Sequence, residues 1–140
     1  MQLDKLNDNL VRRQRNFALT AKHVARWPHL FTLPRLTEGI ETGWHMFPFI
    51  INPTCGIRRG ELQRFMEGRG IDTRMVWTGN AARQPAFRDK LFRQPTNGLP
   101  NADLIMEQGL ILPNSHSMSD EDCNYIGECL AYFVNQIGLS

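Results

Sequence analysis

Residues 3–27 alternate apolar and charged positions with the period of a helix. Pro28 follows directly, and proline cannot continue a helix. The pattern therefore predicts a long amphipathic helix that ends at Pro28. The apolar positions that define this helix are Leu3, Leu6, Leu10, Phe17, Ala21 and Val24.

Aromatic and β-branched residues, which favour strands, gather between Trp44 and Ile51. Pro48 lies inside this run and has no N–H to donate to a neighbouring strand, so we predict an edge strand or a bulged one. Two more short strands are predicted, over residues 71–77 and 110–112.

Three further helices are predicted downstream. One covers residues 58–69 and ends at Gly70, where a left-handed C-terminal cap belongs. A short helix covers residues 102–108, and the last helix begins after Ser119, a favoured N-cap residue followed by three acids that suit the helix dipole. The predicted buried positions are Leu62, Phe65 and Met66 in the first of these helices and Ile126, Leu130, Phe133 and Ile137 in the last.

The order of these elements favours a fold of the α+β class. Few strands and several helices predict a small, mostly antiparallel sheet of about three strands, backed by helices. A doubly wound α/β fold is less favoured because the chain has no glycine-rich phosphate loop. Residues 78–100 form a long irregular stretch, of the kind that is usually functional or mobile. We expect residues 1–140 to form a single domain, with residues 1–27 as its leading helix.

Charge and composition exclude several partners. The 16 basic and 14 acidic residues leave a net charge of +2, and thirteen of the basic residues are arginines. The arginines of the first helix alternate with Asp4 and Asp8 and form no continuous basic field, so we expect no nucleic-acid partner. The longest apolar run, residues 46–51, is too short for a membrane span. Three cysteines without metal-ligand spacing favour a cytoplasmic protein with reduced thiols.

The densest group of ligand-type side chains lies in residues 70–87. It combines two arginines, an indole and an amide at a strand-to-loop junction, where a scaffold often presents side chains to a ligand. No catalytic constellation and no metal site is recognisable elsewhere. His116 stands between Ser115 and Ser117, but turn formation explains these serines better than nucleophilic chemistry.

Residues 70–87 resemble the "GI-TR---GN---QPA(F/Y)" segment of the DegT/DnrJ/EryC1/StrS family of nucleotide-sugar aminotransferases, particularly its branch of 3-dehydrases acting on 4-keto-6-deoxyhexoses. Residues 2–16 resemble the helix that leads into the family's small domain, and residues 44–48 its "(S/T)WF-FPI" strand. Residues 99–106 are similar to its "LP-(T/A)D-IM" helix, and residues 118–125 to its closing "MTDEQ--Y" segment.

The resemblance implies the small C-terminal domain of a fold-type I enzyme that depends on pyridoxal phosphate. In that family the cofactor lysine, or the histidine that replaces it, belongs to a preceding large domain. Lys5, Lys22 and Lys90 do not stand in the family's lysine motif, so we expect no cofactor in this chain and no catalysis by it alone. The first predicted helix begins almost at Met1 without a capping segment, so we expect a large domain upstream.

The resemblance also implies a set of substrate-binding side chains. Arginines would meet the diphosphate or the sugar hydroxyls, aromatic rings would wall the hexose or the base, and amides and an imidazole would contact hydroxyls. Core packing is the alternative for Phe47 and Trp77, and a solvated loop charge is the alternative for Arg83 and Arg93. The candidates are Trp44, Phe47, Arg74, Trp77, Asn80, Arg83, Gln84, Arg93 and His116.

Three functions stay open at this point. A parent enzyme with the nucleotide-linked keto-sugar as its partner could perform amino transfer or C-3 deoxygenation, because both use the cofactor as an electron sink. A freestanding truncated remnant could act as a sugar-nucleotide-binding or homo-oligomerisation module, since exposed apolar surface favours self-association. A complete small enzyme would need a site around His116 and Arg74.

Overall fold

The computed structural model describes residues 3–77 and 79–139, without the side chain of Leu3. Predictions for Met1, Gln2, Thr78 and the Leu3 side chain therefore lie outside the described part of the chain. The helices are α1 (Leu6–Val24), α2 (Arg59–Glu67), α3 (Pro100–Gln108) and α4 (Asp120–Gln136). The strands are β1 (Phe31–Thr32), β2 (Met46–Ile51), β3 (Arg74–Met75) and β4 (Gly109–Pro113), and short 3-10 turns lie at Leu3–Lys5, Ala81–Arg83 and Pro85–Phe87.

The four strands form one antiparallel sheet in the order β1-β2-β4-β3. The register pairs Phe47 of β2 with Leu112 of β4, and Arg74 of β3 with Ile111 of β4. The predicted α+β class is confirmed, with four strands in place of about three. The additional strand is β1, whose two residues are too few to show an alternating pattern.

The position predicted for the strand with Pro48 is wrong. Strand β2 lies between β1 and β4, so it is not at the edge of the sheet. Proline is tolerated because β1 pairs only with Ile50 and Ile51, so at Pro48 the strand has β4 as its only neighbour. One side of the backbone is therefore unpaired there, where a missing N–H is harmless.

The hydrophobic core lies between one face of the sheet and three of the helices. Phe47, Phe49 and Ile51 alternate along β2 and are at most 2% exposed. They pack with Leu110 and Leu112 of β4 and with buried side chains of α1, α2 and α4. Burial of one such side chain contributes roughly 1.5–3 kcal/mol, so each of these residues stabilises the fold substantially. No side chain of α3 belongs to the core cluster among the described residues.

Helix α1 is held against the loop that precedes α4. The fully buried Asn16 donates hydrogen bonds from its side-chain nitrogen to the carbonyl oxygens of Ser115 (2.8 Å) and Met118 (3.1 Å). Ser119 and Asp122 form a capping box at the start of α4, which confirms the predicted N-cap. Where α1 and α4 cross, a Cβ at Gly127 would lie 2.2 Å from the imidazole of His23, so this packing requires glycine.

Several predicted boundaries change in the structure. The strand predicted for residues 71–77 shortens to Arg74–Met75, and the helix predicted for residues 102–108 begins at Pro100. Ile137 was predicted to be buried but is 40% exposed, because α4 ends at Gln136. Gly70 has a φ of +76°, as the predicted left-handed cap requires. None of the described helices is long and apolar enough to cross a bilayer.

Candidate functional site

The second face of the sheet is apolar and is only partly covered, by α3, so that Ile111 of β4 is buried there while its neighbours on β2 are not. Met46, Pro48 and Ile50 are the outward residues of β2, and all three are only partly buried. With Val76 and with Ile105 of α3 they border shallow apolar grooves, one of about 270 Å³. A sheet face in water usually carries polar residues, so this composition is typical of a face that packs against something. We refer to it as the open face.

Two tryptophans border a pocket of about 240 Å³ at one side of the open face. Trp44 stacks on Phe17 of α1, with ring centroids 4.0 Å apart and an interplanar angle of 13°. Trp77 is 71% exposed. Their φ angles are +38° and +42°, in a region that non-glycine residues rarely adopt and that is often associated with functional sites.

The backbone of Trp44 is held in place by a buried side chain. Asn114, which is 4% exposed, donates hydrogen bonds from its side-chain nitrogen to the carbonyl oxygens of Trp44 and Arg13. This amide therefore holds the strained residue in place and links it to α1. Trp77 is much less covered, since 71% of this residue is exposed.

Arg74 of β3 borders an adjacent pocket that shares His45 and Met46 with the tryptophan pocket. Its side chain is 75% exposed, and its only ion pair among the described residues joins its Nη2 to Oδ2 of Asp72 at 4.0 Å. A pair that long and exposed contributes little, and Nη1 makes one long hydrogen bond of 3.3 Å to the carbonyl oxygen of Thr73, so most of the guanidinium donors stay available to a ligand. The structure thus brings together three of the predicted residues, Trp44, Trp77 and Arg74.

A second polar cluster forms around Asp103 of α3. Its Oδ2 accepts a hydrogen bond from Arg83 Nη2 at 2.7 Å, and its Oδ1 accepts from Arg83 Nε and, at 2.7 Å, from Asn80 Nδ2. The hydrogen bonds from Arg83 and then from Asn80 lower the pKa of Asp103 to about 2. The same carboxylate raises the pKa of Arg83.

Asn80 and Arg83 are therefore together, but separate from the tryptophan pocket. Asn80 is 3% exposed, and its Oδ1 accepts from the backbone N–H of Ala82 at 3.0 Å, while its nitrogen is engaged by Asp103. Its amide is used on both sides within the chain, as a buried polar group requires.

The other predicted residues lie elsewhere. Phe47 is fully buried in the core, in line with the alternative of core packing. Gln84 lies between two 3-10 turns and is half-buried, and Arg93 is exposed in the long loop. His116 lies in the turn after β4, lines neither pocket of the open face, and has a buried Nδ1 without a partner among the described residues.

A small enzyme built on His116 and Arg74 finds no support in this arrangement. Arg74 borders the open face, whereas His116 does not line the same pocket. The neighbouring hydroxyls of Ser115 and Ser117 lie 2.9 Å apart and bond to each other, which agrees with the predicted turn. Among the described residues no group of three or more His, Cys, Asp or Glu side chains could hold a metal ion.

Four site residues were missed at the level of sequence. His45 follows Trp44 directly, and Asp103 stands inside the "LPNAD" run, so motifs pointed to both positions. Asp72 stands two positions before Arg74, so its ion pair is local, but no motif named it. Asn114 carries no local signal, because the carbonyl oxygens to which it donates belong to Trp44 and Arg13, 70 and 101 positions away.

Comparison with known proteins decides the family. The profile of the DegT/DnrJ/EryC1/StrS aminotransferase family matches residues 1–131. This chain belongs to the DegT/DnrJ/EryC1/StrS family. The resemblance inferred from the motifs is thereby confirmed.

The curated relatives of this chain include a lipopolysaccharide biosynthesis protein and a sugar 3-dehydratase. The lipopolysaccharide biosynthesis protein RfbH of Salmonella typhimurium is 29% identical over 125 residues, which are 89% of this chain and 28% of the relative. The dTDP-4-dehydro-2,6-dideoxy-D-glucose 3-dehydratase of Saccharopolyspora spinosa is 29% identical over 133 residues, which are 95% of this chain and 28% of the relative.

A solved structure of the family agrees with the fold. The E. coli GDP-4-keto-6-deoxy-D-mannose-3-dehydratase with bound hydrated pyridoxal phosphate matches with a TM-score of 0.78 and 26% identity. The match covers 92% of this chain and 32% of that chain. The chain thus spans about 28% of the length of the curated relatives it matches.

Proposed function

We propose that this chain is the substrate-contacting small domain of a pyridoxal-phosphate-dependent enzyme that acts on a nucleotide-linked keto-sugar in deoxysugar or lipopolysaccharide biosynthesis. The reaction would be amino transfer or C-3 deoxygenation. The family and the names of the two curated relatives support the substrate class. The observation that carries the proposal is an open apolar face bordered by Trp44, Trp77 and Arg74. It belongs to a chain that covers 32% of the length of the solved relative.

The open face would lie against a large domain that carries the cofactor. Burial of Met46, Pro48 and Ile50 would remove apolar surface from water, which is the main driving force for such packing. The pockets at the edge of the face would then adjoin the contact between the two domains. Ligand sites are common at such domain boundaries.

Within that site, Arg74 would bind the diphosphate. Its planar guanidinium would donate two parallel hydrogen bonds to phosphate oxygens, in place of a weak pair with Asp72 and a 3.3 Å hydrogen bond from its Nη1 to the carbonyl oxygen of Thr73. Trp77 would cover the base or the hexose with its exposed indole, and Trp44 would form the fixed wall.

The residues of this chain do not fit covalent attachment of the cofactor. Lys5, Lys22 and Lys90 are all exposed, and none of them lines the pockets of the open face. A Schiff-base lysine is normally desolvated or placed beside a second cation, which lowers its pKa. In the proposed enzyme, pyridoxal phosphate would therefore be held by a large domain and not by a lysine of these 140 residues.

Isothermal titration calorimetry with GDP-mannose and dTDP-glucose tests the proposal. We expect the wild-type chain to bind at least one of them, and Arg74→Gln to weaken binding about tenfold, because a charge-assisted hydrogen bond to phosphate is lost. Arg12→Gln is the matched control, since Arg12 lies exposed on α1, away from the open face. Absence of binding to both nucleotides, or equal losses in the two variants, contradicts the proposal.

A second candidate function is a freestanding oligomerisation or sugar-nucleotide-binding module. The same open face favours it, because two copies could cover each other's apolar surface. Sedimentation velocity separates the two functions. A stable dimer that Ile50→Lys converts to a monomer supports the module, whereas a monomer at all concentrations leaves the small-domain proposal as the better account.

A further inference from the structure

The long loop and the start of α3 enclose a polar pocket that is separate from the open face. It has a volume of about 440 Å³, and none of its lining residues borders the tryptophan pocket. Arg83 and Asp103 lie on one side of it, and Phe92, Gln94 and Asn97 belong to the loop on the other. Gly98 has a φ of +70°, which lets the loop turn back toward Pro100 at the start of the helix.

The charges in this pocket cancel each other. Arg83 contacts Asp103 through two of its nitrogens, and Asn80 fixes the carboxylate from the buried side. The pair is therefore close to neutral and held in one orientation. An incoming phosphate would meet the negative charge of Asp103 as soon as it reached Arg83, so the pocket disfavours anions.

Hydrogen-bonding capacity nevertheless remains on both members of the pair. A guanidinium has five N–H donors, and Arg83 directs only two nitrogens at Asp103. The carboxylate keeps acceptor capacity on Oδ2, which takes a single bond from Arg83. The amides of Gln94 and Asn97 both donate and accept, and Phe92 is 44% exposed beside them.

Donors and acceptors side by side, with one aromatic ring, match a hydroxyl-bearing ring, because each hydroxyl both donates and accepts. We propose that the pocket between the long loop and α3 binds a neutral hexose unit, and that Asp103 makes it selective against phosphate by neutralising Arg83. The expectation that Arg83 meets the diphosphate is thereby replaced, and the diphosphate is left to Arg74. The expectation of a sugar ligand rests on the proposed function, but the residues that line this pocket differ from those of the tryptophan pocket.

Nuclear magnetic resonance titrations of the full 140-residue chain test this inference. D-Fucose, a 6-deoxyhexose, serves as the neutral probe, and inorganic pyrophosphate serves as the anion. In the wild type we expect D-fucose to shift the amide signals of Arg83, Asn97 and Asp103 with a dissociation constant on the order of millimolar, as its size allows. Pyrophosphate should leave these three signals unchanged.

Asp103→Asn should reverse the preference, because it leaves Arg83 without a countercharge. We expect pyrophosphate to shift the three pocket signals of this variant to saturation, which it does not do in the wild type, and D-fucose to bind the variant several-fold more weakly. Asp89→Asn is the matched control. It removes the same charge from the exposed loop that precedes α3 without lining the pocket, and it should behave like the wild type.

Arg83→Gln provides a second variant should Asp103→Asn not fold, as judged by the dispersion of its amide signals. It should lose D-fucose binding without gaining pyrophosphate binding. The inference is overturned if D-fucose causes no saturable shift at the three pocket signals, or if pyrophosphate shifts them in the wild type. If D-fucose does not bind this pocket but nucleotide binding still depends on Arg74, the hexose site is ruled out and the proposed function is unaffected.

Discussion

Neighbouring residues of β2 contribute to two surfaces of very different character. Phe47, Phe49 and Ile51 point into a core closed by three helices, where their side chains are at most 2% exposed. Met46, Pro48 and Ile50 are just as apolar, but they lie under shallow grooves on the open face. The difference lies in what covers each face, and not in the polarity of the residues.

The closed face of the sheet stabilises the fold, whereas the open face carries the candidate functional residues. The closed face holds the fold together through dense packing and through Asn16, which is bonded to the loop before α4. The open face carries the two tryptophans in strained backbone conformations and an arginine with a weak partner. Strain and unused binding capacity are typical of functional surfaces, which are stabilised by the rest of the molecule.

The largest expected effect compares adjacent residues on opposite faces. Phe47→Ala should lower the free energy of unfolding by about 3–5 kcal/mol, because it leaves a cavity in the core. Met46→Ala should lower it by less than about 1.5 kcal/mol, since this residue on the open face is only partly buried. Urea denaturation followed by circular dichroism measures both. Similar losses in the two variants would show that the open face is part of the core.

A smaller effect is expected where the closed face is fastened to the loop before α4. Asn16→Ala should destabilise the chain by about 1–3 kcal/mol, because the carbonyl oxygens of Ser115 and Met118 lose the buried side-chain donor that they share. Asn7→Ala, on the same helix but exposed, should change the free energy of unfolding by less than about 0.5 kcal/mol. Thermal unfolding compares the two variants, and a silent Asn16→Ala would mean that water replaces these bonds.

The smallest effect is a pH dependence at the polar pocket. The pKa of Asp103 lies at about 2 in the folded chain and at 3.8 without its partners. The stabilisation by Arg83 and Asn80 is therefore complete above pH 3.8 and is lost as the pH falls toward about 2. Unfolding midpoints across this range should fall more steeply for wild type and Asp89→Asn than for Asp103→Asn. Parallel curves for all three proteins would contradict the pairing.

The sequence predicted those elements of the fold that depend on the pattern of neighbouring residues. Helices α1 and α4 were predicted because their apolar residues recur at helical spacing over several turns, and Ser119 because capping depends on its nearest neighbours. Strand β1 was missed because two residues carry no period. The exposure of Ile137 was missed because it depends on where the last helix ends.

Part of the candidate site was also predicted from local sequence motifs. Motifs pointed to Trp44, Arg74 and Trp77, which the structure brings to one surface. They could not show that Phe47 faces the core, since the direction of a side chain follows from strand register. The pairing of Arg83 with Asp103 spans twenty positions across an irregular loop, and no local pattern encodes such a contact.

The most direct test of the account uses the three indole N–H signals as built-in reporters. Trp27 is 6% exposed in the core, whereas Trp44 and Trp77 border the pocket on the open face. On titration with GDP-mannose or dTDP-glucose, we expect at least one of the two nucleotides to move the signals of Trp44 and Trp77 to saturation while the Trp27 signal stays in place. If neither nucleotide moves them, or if all three signals move equally, the open face is not a substrate-binding surface.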